Sequence, residues 1–307
     1  MRISEIENAR RLTDALEAYE EEVGPLPGIA LPGHRASFIE QLIVSDRRNR
    51  YVRRLVLSEL SLSRSDPLSG RFDPLKAAIL QNRAGSVDES FWMVFLFVHF
   101  GKHRTGGWRY AADVYGRLGA GTRWDWEHIS TDVAGFRTWM DDNSDTIRTR
   151  GPGGFGNHRK YESLARTGAV VTSYVHWVGP SRSHMDRIGA ALGQAAGDPR
   201  DAFGRMFRSM SGVAQFGRTA RFDYLTNVSK LGLAPIRPDR AYLDGATGPL
   251  LGARLLFQDA TGSSPRPIDL DDMLVDLERF AGIGIDALED AVCNWQKSPA
   301  VFRPFRG

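Results

Sequence analysis

The chain has 307 residues, 42% of them hydrophobic, which is enough for one large core or two small ones. Its single cysteine, Cys293, excludes an internal disulfide and any zinc site made of cysteines alone, as in a reducing compartment. The formal net charge is only +3, but all except five of the 40 basic residues are arginines. Such a composition suits phosphate binding, and a GC-rich genome, which favours arginine codons, would also produce it.

The chain begins with the pattern of an amphipathic helix. Apolar residues recur every three or four positions from Ile3 to Tyr19, and Gly24 and Pro25 end the pattern. Charged residues are mixed into the first eleven positions, so the hydrophobic segment of a secretory signal is not found there. We therefore expect a cytoplasmic protein.

Two helices of opposite character are predicted next. The segment from Ala36 to Leu57 is helical in pattern and densely basic, which suits either a phosphate-binding surface or a solvated one. The run from Phe91 to Phe100 is almost entirely apolar and far shorter than the roughly 20 residues that span a bilayer. Because Asp88 and Glu89 favour a helix start just before it, this run is expected to be a buried helix.

A change in composition predicts two helical lobes, residues 1–150 and 151–307, within one globular unit. The segment from Ile147 to Gly156 is rich in arginine, glycine and proline, which is typical of a boundary or a loop. Helical periodicity dominates after it, and the main alternating run extends from Ala169 to Trp177. The predicted fold class is mainly α. The later segments with a helical pattern are 203–210, 216–231, 249–257, 270–280 and 287–295.

Four short segments combine glycine with charged and aromatic residues, a mixture that a buried helix does not need. Glycine lets backbone N–H groups approach a phosphate, while neighbouring cations and rings bind charge and stack on a base. Each segment alone would also fit a helix cap or a tight turn. The segments are 99–103, 155–162, 216–224 and 242–254. The residues predicted to bind DNA or a base are Lys102, His103, Asn157, Arg159, Arg218, Arg221, Thr247, Gly248 and Arg254.

The sequence lacks the motifs of several other kinds of functional site. His99 and His103 are four residues apart, but Gly101 weakens a helix between them and no carboxylate occupies the zincin position, so we expect no metal. The glycines at 153–156 are not followed by Gly-Lys-Ser/Thr, and no Gly-x-Ser-x-Gly elbow is present. Cys293 has no histidine beside it. We therefore expect neither a cofactor nor a serine or cysteine nucleophile.

A carboxylate is then the candidate catalytic group. Asp223 follows Arg218 and Arg221 closely, and at least one of them would keep it ionised. An ionised, partly buried aspartate would stabilise an oxocarbenium-like sugar or orient an attacking water. An ion pair that holds two helices together would use the same residues. Glu162 and Glu289 are weaker candidates of the same kind.

Extended motifs occupy six segments of the chain: Phe38–Val52, Phe91–His103, Phe155–Leu164, Phe216–Leu225, Tyr242–Phe257 and Leu288–Lys297. These motifs resemble those of the alpha-glutamyl/putrescinyl thymine pyrophosphorylase family, clade 3. The resemblance implies a DNA glycosylase-like helical fold and a role in the chemistry of hypermodified pyrimidines in phage DNA. Because relatives include base-modifying transferases and kinases, the resemblance indicates the class of substrate more closely than the type of reaction.

A weaker similarity concerns the segment from Leu243 to Ala253, which resembles the hairpin of helix-hairpin-helix glycosylases. That hairpin binds a phosphate through backbone N–H groups, and Asp269 follows where those enzymes carry a catalytic aspartate. Gly245 and Gly248 are three residues apart rather than two, and the usual lysine is absent. Asp269 is therefore the second choice for the catalytic residue, after Asp223.

The expected function is that of a DNA glycosylase that extrudes a bulky modified pyrimidine from double-stranded DNA and cleaves its N-glycosidic bond, as a defence against phages with modified genomes. The first alternative is a transferase that replaces a leaving group on the 5-hydroxymethyl substituent. His158 and Lys160 are further catalytic candidates, and in a transferase they would hold the co-substrate. The second alternative is a module that binds modified DNA without reaction.

Overall fold

The computed structural model of the protein describes residues 3–156, 159, 162–258 and 265–304. Within these ranges the chain forms fourteen α-helices and no β-strand, which confirms the mainly α fold class. The helices are α1 (Ile3–Glu22), α2 (Pro32–Leu55), α3 (Pro74–Arg83), α4 (Val87–Phe100), α5 (Arg109–Tyr115), α6 (Trp126–Thr131), α7 (Val133–Arg150), α8 (Leu164–Val178), α9 (His184–Gln194), α10 (Pro199–Ser209), α11 (Arg218–Lys230), α12 (Gly248–Phe257), α13 (Pro267–Ala281) and α14 (Ile285–Trp295). Among them, no helix is both long enough and apolar enough to cross a membrane.

Two local expectations differ from the structure. The alternating run 169–177 is helical and lies inside α8, because its buried residues continue a stripe that includes Leu164, Thr167 and Val178 at helical spacing. The expected helix-hairpin-helix element is not seen, since residues 231–247, which precede α12, contain no helix.

The chain divides into two compact units. The first consists of Met1–Arg53 and Pro238–Arg306, and the second of Arg54–Arg237. This division differs from the one predicted at residue 150, which falls inside the second unit. There the glycine-rich loop is packed, since a Cβ at Gly151 would lie 2.0 Å from Cε1 of Tyr110. Glycine at this position serves close packing rather than a boundary.

The first unit has its own hydrophobic core. Two glycines bring α12 close to α14: a Cβ at Gly252 would lie 2.1 Å from the carbonyl oxygen of Val292, and a Cβ at Gly248 would lie 2.6 Å from Sγ of Cys293. The close approach buries the apolar faces of both helices, which is the main source of stability here. Fully buried members of this core include Leu16, Phe38, Leu42, Leu256, Leu270, Leu277, Leu288 and Val292.

A polar ladder joins α2 to α14 beside that core. Asn49 donates to Oδ2 of Asp286 at 2.8 Å, and one helical turn away Ser45 donates to Oδ2 of Asp290 at 2.6 Å. Arg48 forms an ion pair with Asp290 at 3.0 Å. Because these groups are spaced by one turn on each helix, they fix the register of the pair. The ion pair also occupies Arg48, which belongs to the basic segment that the sequence suggested as a phosphate-binding surface.

In the second unit, the predicted apolar helix α4 is buried along most of its length. The rings of Trp92 and Phe95 lie 6.1 Å and 4.0 Å from the ring of Tyr174 on α8, and Phe216 lies 5.3 Å from Phe95. Aromatic side chains bury large areas and add specific ring contacts, so this cluster anchors the unit.

A chain of hydrogen bonds crosses the same core. Oδ1 of Asp88 lies 2.7 Å from Nδ1 of His184, and Nε2 of that ring lies 2.7 Å from the hydroxyl of Tyr174. The hydroxyls of Tyr174 and Tyr224 are 2.8 Å apart. Burial lowers the pKa of His184 although Asp88 opposes the shift, so the neutral ring donates to Asp88 and accepts from Tyr174. The chain ties α4, α8, α9 and α11 together.

Candidate active site

Three of the four glycine-containing segments meet in the second unit: 99–103, 155–162 and 216–224. The first two touch through their backbones. Gly156 donates its N–H to the carbonyl oxygen of Phe100 at 2.9 Å. Gly101 has a φ of 62°, and a Cβ there would lie 2.5 Å from the carbonyl oxygen of Gly156. Glycine is therefore required at 101 by both the left-handed backbone and the contact.

Arg159 joins the three segments. Its Nε donates to the carbonyl oxygen of His99 at 3.3 Å, and both terminal nitrogens lie 3.3 Å from the carbonyl oxygen of Gln215. The guanidinium lies 5.4 Å from the centre of the Phe216 ring and forms a 3.4 Å ion pair with Glu162. With a side chain only 10% exposed, Arg159 is the buried cation around which the motifs pack.

The electrostatics around Arg159 are those of a desolvated ion cluster. Burial lowers the pKa of Arg159, while Glu162 and Asp223 act in the opposite direction. Burial also lowers the pKa of His99 well below its usual value, and Arg159 adds to this effect. The neutral His99 ring lies with Nε2 3.2 Å from the hydroxyl of Thr167. The buried Arg159 is therefore stabilised by two neighbouring acidic side chains, beside a neutral His99 ring.

Asp223 lies on α11 and is partly buried. The sequence named Arg218 and Arg221 as the arginines beside this carboxylate, which stays a prediction, and the structure adds Arg159, whose charge Asp223 stabilises. Arg218 lies 4.7 Å from the Phe222 ring centre, and Arg221 lies 4.5 Å from that of Phe207. These two arginines thus pack on aromatic rings. The catalytic role of Asp223 stays a prediction.

A cleft of about 410 Å³ lies in the same unit. Five cations line it against two carboxylates, and Trp108 contributes an indole ring. This excess of positive charge, together with the ring, fits a ligand that carries phosphate and a flat apolar group. The cationic residues are Arg64, Arg71, Lys102, Arg109 and Arg150, and the acidic residues are Asp73 and Asp113.

A buried carboxylate orients two of these cations. Asp113, whose side chain is 7% exposed, accepts from Nε of Arg109 at 2.8 Å and lies 3.7 Å from Nη2 of Arg150. Both arginines remain partly exposed at the cleft. A shared carboxylate reduces the freedom of both guanidinium groups, so that the cleft is preorganised for an anion.

Lys102 connects the cleft to the motif cluster, because it follows Gly101 directly and lines the cleft. His103 has a structural task beside it. Its Nδ1 accepts the N–H groups of Thr105 at 3.3 Å and Gly106 at 3.1 Å, and its backbone pairs with Gly107 in a tight turn. The DNA- or base-binding roles of Lys102 and His103 stay predictions; Lys102 lies at the cleft, and His103 shapes the loop beside it.

The fourth predicted segment belongs to the first unit. Thr247 is exposed just before α12, and Gly248 is required by the contact with Cys293. Arg254 is partly buried, and its Nε has no hydrogen-bond partner among the described residues. These three residues stay predicted DNA contacts.

Asp269 also lies in the first unit, in the first turn of α13. It accepts the backbone N–H of Arg266 at 3.1 Å and the Nη2 of the same residue at 2.7 Å. The hydrogen bond from Arg266 lowers the pKa of Asp269. The exposed carboxylate thus caps a helix, a role that accounts for it without catalysis. Asn157, His158 and Lys160 lie outside the described residues.

Sequence reasoning missed most of the cleft. The dense arginines of α2 suggested a phosphate-binding surface instead. In the structure, however, Arg47, Arg48 and Arg50 form ion pairs with Glu5, Asp290 and Asp46. A usable signal was the spacing of Arg109 and Asp113, four residues apart after the Gly106-Gly107 pair, which is typical of an ion pair on a short helix beside a turn. No comparable signal marks Arg64 or Arg71.

Comparison with known proteins identifies the family. No curated protein and no solved structure matches the chain. One family model matches residues 33–307, which is nearly the whole chain, and its description names an enzyme activity on thymine. The match includes the three segments that meet at Arg159 and every residue that lines the cleft. The chain therefore belongs to the alpha-glutamyl/putrescinyl thymine pyrophosphorylase family, clade 3.

Proposed function

We propose that the protein is a DNA glycosylase that excises a hypermodified thymine-type base. The observation that carries the proposal is the cleft of about 410 Å³, whose five cations and indole ring suit an extrahelical nucleotide and its neighbouring phosphates. Pockets of a few hundred Å³ hold ligands of this size. A base must leave the stack before its glycosidic bond can be attacked, so a site of this kind is a requirement of the reaction.

The chemical step is hydrolysis of the bond between C1′ of deoxyribose and N1 of the base. A water oxygen attacks C1′, the C1′–N1 electron pair goes to the base, and N1 takes up a proton. The attacking water loses one proton, to a carboxylate or to solvent, and keeps the other as the new hydroxyl on C1′, so the products are an abasic site and the free base. A carboxylate stabilises the positive charge that develops on the sugar. Asp223 beside Arg159 is the first candidate, and Asp113 at the cleft wall is the second.

A transferase is the second candidate function, and the number of cations favours it. In that reaction an amine nitrogen attacks the methylene carbon attached to C5 of the pyrimidine, the bond from that carbon to a pyrophosphate oxygen breaks, and the amine loses a proton. The leaving pyrophosphate carries several negative charges, which five cations would stabilise. The description of the family as a pyrophosphorylase agrees with this chemistry.

One experiment separates the two reactions. DNA that contains hypermodified thymine is incubated with the protein, and nucleosides, free bases and pyrophosphate are measured by mass spectrometry and phosphate assay. Free base and abasic sites support the glycosylase. On DNA that carries the pyrophosphate ester of 5-hydroxymethyluracil, an amine-substituted nucleoside together with pyrophosphate, formed only when an amine is added, supports the transferase. Binding without any product leaves only a recognition module and contradicts both proposals.

A further inference from the structure

The cationic cleft has an apolar rim. Leu68 lies at the tip of a turn, lines the cleft and has 69% of its surface exposed. Leu118 and Gly119 line the cleft as well, and a Cβ at Gly119 would lie 3.2 Å from Cδ2 of Leu68. Two leucine side chains therefore belong to the wall of a cleft that is otherwise rich in charge. Single exposed leucines are ordinary, but an exposed leucine beside five cations suits a partner that is both anionic and apolar.

The loop that carries Leu68 is held firmly. Asp73 donates its backbone N–H to the carbonyl oxygen of Arg64 at 3.0 Å, which closes the loop, and Arg64 donates its Nη1 to the carbonyl oxygen of Arg71 at 3.0 Å. Within it, the N–H of Leu68 binds Oδ1 of Asp66 at 3.1 Å. A side chain on such a loop is presented at a fixed position, as insertion into another molecule requires.

The opposite side of the rim has an unusual backbone. Arg117, Leu118 and Gly119 have φ values of 52°, 57° and 85°, so three consecutive residues are in the left-handed region. Only the glycine adopts it without cost, and such conformations persist where the surrounding structure imposes them. This turn keeps Leu118 at the cleft.

We infer that Leu68, supported by Leu118, is inserted between base pairs of duplex DNA and fills the space that an extruded nucleotide leaves. Apolar side chains between base steps are a general means of unstacking and kinking DNA, and the cations of the cleft bind the phosphates on either side. Duplex DNA combines a dense row of phosphates with an apolar stack, and it is the substrate of the proposed function. The inference rests on the proposed function, since it requires a base outside the helix.

The test uses a short duplex with one 5-hydroxymethyluracil beside the fluorescent base 2-aminopurine, whose emission rises when stacking is lost. Binding is measured by fluorescence anisotropy on the same samples. The wild-type protein is expected to bind and to raise the 2-aminopurine emission. Leu68→Ala is expected to bind but to lose that rise, and Leu68→Met is expected to restore it. The matched control is Leu62→Ala, because Leu62 is 76% exposed on the same connection but does not line the cleft, and this variant should behave like wild type.

The outcomes are distinct. If the wild type binds without any rise in emission, or if Leu68→Ala keeps the full rise, the insertion is overturned while the proposed function stands. If the wild type does not bind the duplex at all, the proposed function fails and the insertion fails with it. If size-exclusion chromatography shows a dimer that Leu68→Ala disrupts, the rim is an interface between two copies, and this result also overturns the inference.

Discussion

Glu89 is a carboxyl group with both oxygens engaged inside the helical fold. Oε1 accepts from the hydroxyl of Tyr115 at 2.8 Å and Oε2 from the backbone N–H of Trp126 at 2.6 Å. Burial raises the pKa of Glu89 from 4.5 to about 7, although both hydrogen bonds oppose the shift. The folded state therefore favours the protonated form. This contribution to stability is complete below about pH 4.5 and is lost as the pH rises through about 7.

Glu89→Gln should remove this pH dependence. The amide oxygen can accept from Trp126 and the amide nitrogen can donate to Tyr115, so the geometry is kept without a charge. The wild type should lose on the order of 2 kcal/mol relative to the variant between about pH 4.5 and pH 7. Urea unfolding at several pH values measures the difference. Glu127→Gln, an exposed change on the neighbouring α6, is the control and should follow the wild type. A constant difference between wild type and Glu89→Gln would contradict the prediction.

Asp223→Asn tests the first catalytic candidate. The change keeps size and much of the hydrogen bonding but removes the charge that the proposed transition state requires. Base release should fall by two or more orders of magnitude, which corresponds to about 2.7 kcal/mol or more of lost transition-state stabilisation, while DNA binding persists. Single-turnover base release and the melting temperature are measured on the same preparation.

The alternative is a structural role in the ion cluster of Arg159. In that case Asp223→Asn leaves the buried arginine with less counter-charge, and the melting temperature falls before the chemistry is affected. Asp269→Asn is the comparison variant, and as an exposed helix cap it should keep base release near the wild-type rate. A stable Asp223→Asn protein with unchanged base release would move the assignment to Asp113.

At the scale of elements, helices with one apolar face were predictable from the sequence. The pattern in α1, the apolar run of α4 and the C-terminal helices α10 to α14 all match helices of the structure. The helices α3, α5, α6, α7 and α9 were not predicted. Helices as short as α5 and α6 contain too few turns to show an apolar periodicity in the sequence. Such short helices are stabilised by tertiary packing rather than by their own helix propensity.

The contact between two loops provides a test at this scale. Gly101→Ala places a Cβ 2.5 Å from the carbonyl oxygen of Gly156 and also forces alanine into the left-handed region. Gly85→Ala is the matched control, because Gly85 has a φ of 82° but no neighbour within 4 Å of its Cβ position. The control should cost about 1 kcal/mol, and Gly101→Ala a further 1 to 3 kcal/mol, roughly, from the clash. Urea unfolding of both variants measures the difference. Equal losses of unfolding free energy in the two variants would show that the loops move apart without a measurable loss of stability.

At the scale of the whole molecule, the arrangement of the candidate site was only partly predictable. Composition singled out four segments as a group, and three of them meet at Arg159. The fourth belongs to the unit formed by both ends of the chain, and its Gly248 serves the packing of α12 on α14. A local motif does not reveal whether its glycine faces a ligand or another helix, because a close approach of either one requires a residue without a side chain. Only the three-dimensional arrangement separates the two uses.

The charge of the cleft leads to a prediction about the intact protein. If its cations bind DNA phosphates, each contact releases counterions, and log affinity should fall by about 0.9 per contact for each tenfold rise in salt. Lys102→Ala should therefore weaken binding at low salt and lower the slope by about 0.9, as measured by anisotropy titrations over a series of salt concentrations. Arg279→Ala is the control, since Arg279 is exposed on α13 of the first unit and forms an ion pair with Asp276. Its slope should equal that of the wild type. An unchanged slope for Lys102→Ala would place the DNA backbone elsewhere, and the cations of the cleft would then be free to bind the pyrophosphate on the base, as the transferase requires.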